Sequence, residues 1–216
     1  MINISDMHNH TYCSYDSATS PEELAENAVK YGIKRIGITD HQFTVRGGFF
    51  DYIEKINSLK RKYIGKLEIL CGLEIGTRPK PDDFLASDSH FLDYCLFESL
   101  DSDRGMDFFE FIEWQKLFRC KKGLAHTDVF LLVKKDRVDV LKILKENNIF
   151  WEINISGNYF YYYDFLTNPE KRRRIKDSGI EVSVGSDNHS LPDFDINKLI
   201  RAHSLIRNMN LNETFT

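Results

Sequence analysis

Five short runs in this 216-residue chain combine imidazoles and carboxylates at spacings that suit metal ions. Asp6-Met7-His8-Asn9-His10 closes an apolar stretch, and in extended backbone the period of two sends His8 and His10 to one face. Asp16 follows six residues later in a short loop, close enough to fold back as an oxygen ligand. Thr39-Asp40-His41, Gly72-Leu73-Glu74-Ile75-Gly76, Ala125-His126-Thr127-Asp128 and Ser186-Asp187-Asn188-His189 complete the set. A lone Glu or His in such a place is ordinarily a solvated or core residue. An H-x-H and a D-x-H with two further Asp/His pairs between them are not independent accidents. Imidazole and carboxylate without thiolate point to Zn, Mn or Fe, whereas Ca or Mg would call for oxygen alone. The eight candidates His8, His10, Asp16, His41, Glu74, His126, Asp187 and His189 are too many for one ion.

These residues need a scaffold that brings distant runs together. Segments 2–7, 35–39, 67–75, 94–97, 123–126, 150–155 and 180–184 are mostly apolar and β-branched and read as seven strands. Amphipathic stretches 21–31, 50–64, 106–120, 137–147, 169–178 and 196–209 alternate with them; the first starts with Ser20 as cap and Pro21 in its first turn. Regular alternation implies an α/β fold with a parallel sheet, and near-continuous apolar strands imply that both sheet faces are covered. Polar residues follow nearly every strand, which fits a barrel or near-closed barrel better than an open sheet with one switch point. No linker or composition shift divides residues 1–216, so one domain is expected, with its chemistry at the strand C-terminal ends.

Composition narrows the partners. With 42% hydrophobic and 29% charged residues, disorder, collagen and coiled coil are excluded. A formal charge of −4 gives no global positive field for nucleic acid, so an anionic substrate must be held locally by metals or a few arginines. No charged-then-apolar leader and no run of ~20 apolar residues is present, so the chain reads as cytoplasmic, without a membrane partner. Cys13, Cys71, Cys95 and Cys120 lie far apart, and neither a disulfide nor a zinc ribbon is expected.

The ordered set H-x-H, Asp16, D-H, G-x-E, a middle-strand His and a final D-x-H resembles the PHP (polymerase and histidinol phosphatase) superfamily of metal-dependent phosphoesterases over nearly the full length. The resemblance implies a distorted (β/α)7 TIM-like barrel that holds two or three divalent metal ions. By family position, His8, His10, Glu74 and Asp187 would hold one ion, Glu74 and His126 with Glu98 a second, and Asp16, His41 and His189 a third. It also implies Glu74 as the bridging carboxylate and Glu74, Asp187 and His189 as the catalytic set. One position departs from the pattern: Leu100 stands where the family has a ligand His. Glu98 shares that strand face and is the leading replacement, with His90 and Asp101 as rivals, or no replacement at all. An Asp at position 16 is closer to histidinol-phosphatase-like members than to other branches.

The expected activity is hydrolysis of a small phosphomonoester, with histidinol phosphate as one candidate, by a metal-activated water. A phosphodiesterase or exonuclease on short nucleic acids, and a non-catalytic metal-binding regulator, are the alternatives. Arg46 and Arg104 follow strand ends and are candidate phosphate binders. Asp40 and Asp128 flank ligands and are candidates to orient imidazoles. The aromatic run at 158–163 would either stack on a ring-bearing substrate or shield the site, and Asn154 would point into the barrel. The basic run at 171–174 reads as a solvated helix face, and His203 as structural.

Overall fold

The computed structural model describes residues 3–45, 48–77, 83–103, 105–136 and 138–215. Eight parallel strands form one sheet in chain order: β1 (Ser5–Asp6), β2 (Arg35–Ile38), β3 (Glu68–Gly76), β4 (Tyr94–Glu98), β5 (Lys121–Leu124), β6 (Ile149–Asn154), β7 (Glu181–Gly185) and β8 (Asn212–Glu213). The expected distorted seven-stranded barrel, closed or nearly so, is corrected on two points: the sheet has an eighth strand, and it is curled but not closed. The two-residue β8 pairs with β7 at Glu181 and Val182, and it is too short and polar to carry a sequence signal. With β8 on that edge, the strand ladder does not close. The two sides of the sheet meet only higher up, where the Met7 N–H donates to the Val184 carbonyl (2.8 Å), the Asp187 N–H donates to the His8 carbonyl (2.9 Å), and Asn9 bridges to Asn188.

The strand at 123–126 also moves. Its ladder is Lys121–Leu124, because the two lysines keep their heads at the rim, Lys121 pairing with Glu181 at 2.8 Å. His126 therefore lies beyond the strand, in a left-handed backbone conformation with φ 29°.

Helices α1 (Pro21–Lys30), α2 (Phe49–Lys62), α3 (Asp83–Asp88), α4 (Phe108–Trp114), α5 (Val129–Asp136), α6 (Val140–Glu146), α7 (Phe160–Thr167), α8 (Pro169–Ser178) and α9 (Ile196–Met209) cover the sheet. Helix α1 starts in a reciprocal capping box between Ser20 and Glu23. Asp107, Asn168 and Asp195 cap α4, α8 and α9 by accepting first-turn N–H groups. The stretch 106–120 is shorter than its pattern suggests, α4 ending in a 3-10 turn at Gln115–Leu117. Helices α3, α5 and α7 stand where no helix is expected, and the expected helix 137–147 begins at Val140, position 137 lying outside the described residues. Among the described residues no helix is long and apolar enough to cross a membrane.

Two hydrophobic cores result. The larger packs helices onto the outer sheet face. The smaller fills the sheet's concave side with Met7, Tyr94, Leu96, Ala125 and Phe150. Tyr94 crosses this interior and donates its hydroxyl proton to the Met7 carbonyl at 2.6 Å. Its ring lies over Gly37, where an added Cβ would fall 1.7 Å from the Tyr94 oxygen, so only glycine fits. This plug puts a floor directly below His8.

At the opposite end from the His cluster, α9 and β8 are tied to β1 by His203. The imidazole is buried, with Nε2 2.8 Å from the Ser5 carbonyl and Nδ1 2.9 Å from the Glu213 carboxylate. Burial alone would push its pKa down. The Glu213 pair, the Ser5 carbonyl and Asp6 outweigh that and hold it above the ordinary 6.5. A raised pKa contributes stability that is complete below about 6.5 and fades as pH rises through the folded-state value. His203→Gln is therefore expected to lower stability by about 2 kcal/mol at pH 5.5 and by less at alkaline pH. Urea denaturation of both proteins across that range checks it; a pH-independent difference would mean that His203 packs as a neutral residue.

Candidate metal centre

The C-terminal ends of the strands bring nine of the sequence-derived residues into one cup. His8 and His10 leave β1 side by side, their Nε2 atoms 3.0 Å apart. Glu74, near the end of β3, stands at the centre: His8 Nε2 is 3.4 Å from its carboxylate, His10 Nε2 3.5 Å, His41 Nδ1 3.0 Å and His126 Nε2 2.8 Å. Asp187 approaches His10 Nε2 at 3.3 Å and His8 Nε2 at 3.6 Å. On the outer side Asp16 Oδ2 lies 3.1 Å from His41 Nε2 and 3.0 Å from His189 Nε2. Glu98 ends β4 with Oε1 3.8 Å from His41 Nδ1. Three overlapping groups emerge, His8–His10–Glu74, His41–Glu74–Glu98 and His10–Asp16–His41–His189, each with ligand atoms within 4.8 Å of one another.

The surroundings prepare these atoms for a cation. His8 Nδ1 is 2.8 Å from Glu152 Oε1, His10 Nδ1 is 3.4 Å from Ser14 Oγ, and His189 Nδ1 is 2.9 Å from the Asp187 carbonyl. Each of these acceptors takes the Nδ1 proton, so the neutral imidazole presents an Nε2 lone pair to the cup. Asp16 Oδ1 is buried with no hydrogen-bond partner among the described residues, which is what an oxygen ligand awaiting a cation would show.

Electrostatics agree. Burial pushes the Glu74 carboxyl up, but His8, His126 and His41 override it and hold it well below the usual carboxylate range. Burial raises Asp187 likewise, and His8 and His10 bring it down. The carboxylates repay this: against its own burial, His41 is raised to about 9 by Glu74, Asp16 and Glu98. His8 and His126 are raised as well, whereas burial and the neighbouring His8 and His189 hold His10 below its ordinary value. A field that draws protons onto His8, His41 and His126 would draw metal cations in the same way, and metal binding would then displace those protons. Glu98 is raised by burial and by the neighbouring Glu74 charge.

Other expectations resolve by position. Leu100 is fully buried in the larger core, where it has no part in the cup. His90 is exposed, its Nδ1 at the Ser87 carbonyl, before β4 and away from the site. Asp101 accepts the Asp128 N–H. Asp40 and Asp128 are corrected: neither takes an imidazole proton. Asp40 binds Thr11 and Ser14 through both backbone N–H and hydroxyl groups and so reaches His10 only through Ser14. Asp128 caps α5, accepting from Phe130 and Leu131. Arg46 and Arg104 lie outside the described residues. The basic run on α8 is partly folded back, Lys171 onto Asp164 and Arg172 onto the Leu166 carbonyl. The aromatic run shields: Tyr159 stacks on the His126 ring at 4.3 Å and 6°, and Tyr161 and Tyr162 are buried in α7.

Glu152 is the functional residue that motif reading missed. It is fully buried on β6, holding His8 and accepting the His126 N–H at 2.7 Å and the Asn154 amide at 3.2 Å. Asn154 therefore supports Glu152. An added Cβ at Gly185 would sit 1.9 Å from Glu152 Oε1, so glycine there makes room for the carboxylate. Its signal was an acid inside the apolar strand Phe150-Trp151-Glu152-Ile153, since such a charge needs partners to be buried.

A parallel α/β sheet with an imidazole–carboxylate cup at its strand C-termini defines a class of metal-binding hydrolase folds. Residues 6–145 match the model of the PHP domain, and the chain belongs to that family. The histidinol-phosphatase of Lactococcus lactis subsp. lactis is 29% identical over 99 residues, which are 43% of this chain and 36% of that protein. The match thus spans about a third of the curated relative's length. The crystal structure of histidinol phosphate phosphatase from Lactococcus lactis, complexed with zinc, L-histidinol and phosphate, superposes with a TM-score of 0.67 at 20% identity, covering 99% of this chain and 96% of that one. A putative histidinol phosphatase from Listeria monocytogenes gives 0.59 at 19% identity over 88% and 97%.

Two measurements test the cup. Glu152→Gln, which keeps shape but loses the charge, is expected to weaken metal binding roughly 10- to 100-fold with the fold retained, as read by metal titration and circular dichroism. Undiminished affinity would reduce Glu152 to a packing role. In elemental analysis, Glu98→Gln should lower metal content more than His90→Gln; the reverse order would mean that Glu98 faces away from the ions.

Proposed function

We propose that this protein is a metal-dependent phosphomonoesterase of the histidinol-phosphatase type. The observation that carries the reading is the convergence of five imidazoles and four carboxylates, His8, His10, His41, His126 and His189 with Asp16, Glu74, Glu98 and Asp187, at one end of the sheet. Membership of the PHP family supports it, as does the similarity to a phosphatase structure that holds zinc, L-histidinol and phosphate. His8, His10, Glu74 and Asp187 would hold one ion, Asp16, His41 and His189 another, and Glu74 and Glu98 with His126 or His41 a third, with Zn, Mn or Fe suiting the donor set. Bound divalent ions supply a water of lowered pKa, ~7 for zinc, and positive charge for the phosphoryl oxygens.

The protein's own part is preorganisation. Glu152, Ser14 and the Asp187 carbonyl keep the protons of His8, His10 and His189 on Nδ1, so that Nε2 faces the cup. Asp40 holds the 11–14 loop, and the His41 N–H donates to Ser14 Oγ at 3.0 Å, so the two histidine runs move as one unit. Tyr159 covers the His126 face and excludes water from that side. Glu74 and Asp187 stay ionised without a lysine or arginine among their described ion-pair partners, which leaves their charge for cations.

With Zn or Mn supplied, the protein should release inorganic phosphate from a phosphomonoester panel that includes L-histidinol phosphate. Chelation should abolish turnover, metal should restore it, and His8→Ala should lower it by roughly 100-fold or more. A folded, metal-loaded protein that releases phosphate from no member of the panel would sink the proposal.

A further inference from the structure

A polar cavity of about 500 Å³ opens beside the cup, sharing Asp187 and His189 with it as wall residues. Its remaining wall comes from the segments after β6 and β7 and from the start of α9. Among the described residues one lysine and no arginine lines it. Lys198, in the first turn of α9, donates to the Ser156 carbonyl at 3.2 Å and has no carboxylate partner within ion-pair distance among the described residues. Two of its three ammonium protons therefore remain for a ligand.

Of the acids in the same wall, Asp187 belongs to the cup, Asp195 caps α9 by accepting the Asn197 N–H at 2.9 Å, and Asp193 is exposed at the rim; none of them lies within ion-pair distance of Lys198. A half-buried ammonium without a carboxylate partner lowers its free energy by meeting an oxyanion.

We propose that this cavity is an oxyanion subsite for the substrate, with Lys198 as its cation. The inference rests on the phosphomonoesterase reading and gives the substrate a direction, from the metal cup towards α9. Lys198 is a binding and positioning residue here, and it moves no proton. The oxyanion has two possible sources: the reacting phosphoryl group, or a second anionic group, carboxylate or phosphate, carried on the leaving alcohol.

The test compares the wild-type protein with Lys198→Met and Lys198→Arg, all metal-loaded and matched for metal content by elemental analysis. Inorganic phosphate binding is measured by calorimetry. The kcat and KM values are measured for phenyl phosphate, whose leaving group is neutral, and phosphoglycolate, whose leaving group carries a carboxylate. Loss of the charge-assisted contact should raise the affected Kd or KM roughly 10-fold or more, with kcat less affected, and Lys198→Arg should recover most of it. Weaker phosphate binding with both esters impaired alike assigns the subsite to the reacting phosphoryl group. An effect on phosphoglycolate alone assigns it to a second anion on the leaving group. Phosphate binding and KM values that Lys198→Met leaves unchanged overturn the proposal. Lys198-dependent phosphate binding in a protein that hydrolyses no ester would overturn the phosphatase reading and leave the subsite standing.

Discussion

Glu74 is a carboxylate buried to 1% exposure with four imidazoles around it. A charge taken that far from water is tolerable only beside compensating charge, and no lysine or arginine pairs with it among the described residues. Everything at the strand C-termini follows from that demand. His8, His41 and His126, each held above its ordinary pKa, answer it by holding protons, and divalent cations would answer it with more charge per site. The cup is therefore built to gather positive charge at the strand ends, and its stability and its capacity for cations draw on the same interaction.

Holding so many polar groups together requires a rigid surround. Below the cup, Tyr94 seals the concave face of the sheet and reaches the Met7 carbonyl, one residue before His8. At the side, Asp6 accepts the Ser186 N–H at 2.9 Å and its hydroxyl at 2.7 Å, joining β1 to the loop that carries Asp187. Burial raises Asp6 to about 6, so it loses its charge easily, but the bonds to Ser186 keep the two edges in register. The seam that no strand ladder closes is thus closed by side chains and by the Asn9–Asn188 bridge. Opening the sheet at this edge leaves room beside Asp187 and His189, which a continuous ladder capped by tight loops would fill.

The partners behind the ligands are as ordered as the ligands. Glu152 links His8 to the backbone of His126 and, through Asn154, to the turn at Ser156, where Lys198 also bonds. One buried acid on β6 therefore connects the cup to the adjoining cavity. Such a network is worth having only when every member is satisfied, and the glycine at 185 and the aromatic cover of α7 serve that end. Leu100 shows the opposite economy. With a leucine in the core where a ligand histidine is usual in the family, Glu98 remains to face His41 from β4.

The sequence by itself determined the alternation of strand and helix, the placing of His8, His10, Asp16, His41, Glu74, His126, Asp187 and His189 at strand ends, and the separation of His90 and His203 from them. Those features are local: period-two facing, caps and apolar runs are written in neighbouring residues. Strands Glu68–Gly76 and Ile149–Asn154 were legible because apolar side chains fill them, while Asn212–Glu213 was not, because its pairing depends on an edge that only the folded sheet offers. The roles of Asp40 and Glu152 were decided by the tertiary structure. Each depends on what a long-range neighbour leaves unsatisfied, a loop hydroxyl or an Nδ1 proton. Spacing along a chain states which groups can reach a common centre, but only packing states which donors and acceptors are already used when they arrive.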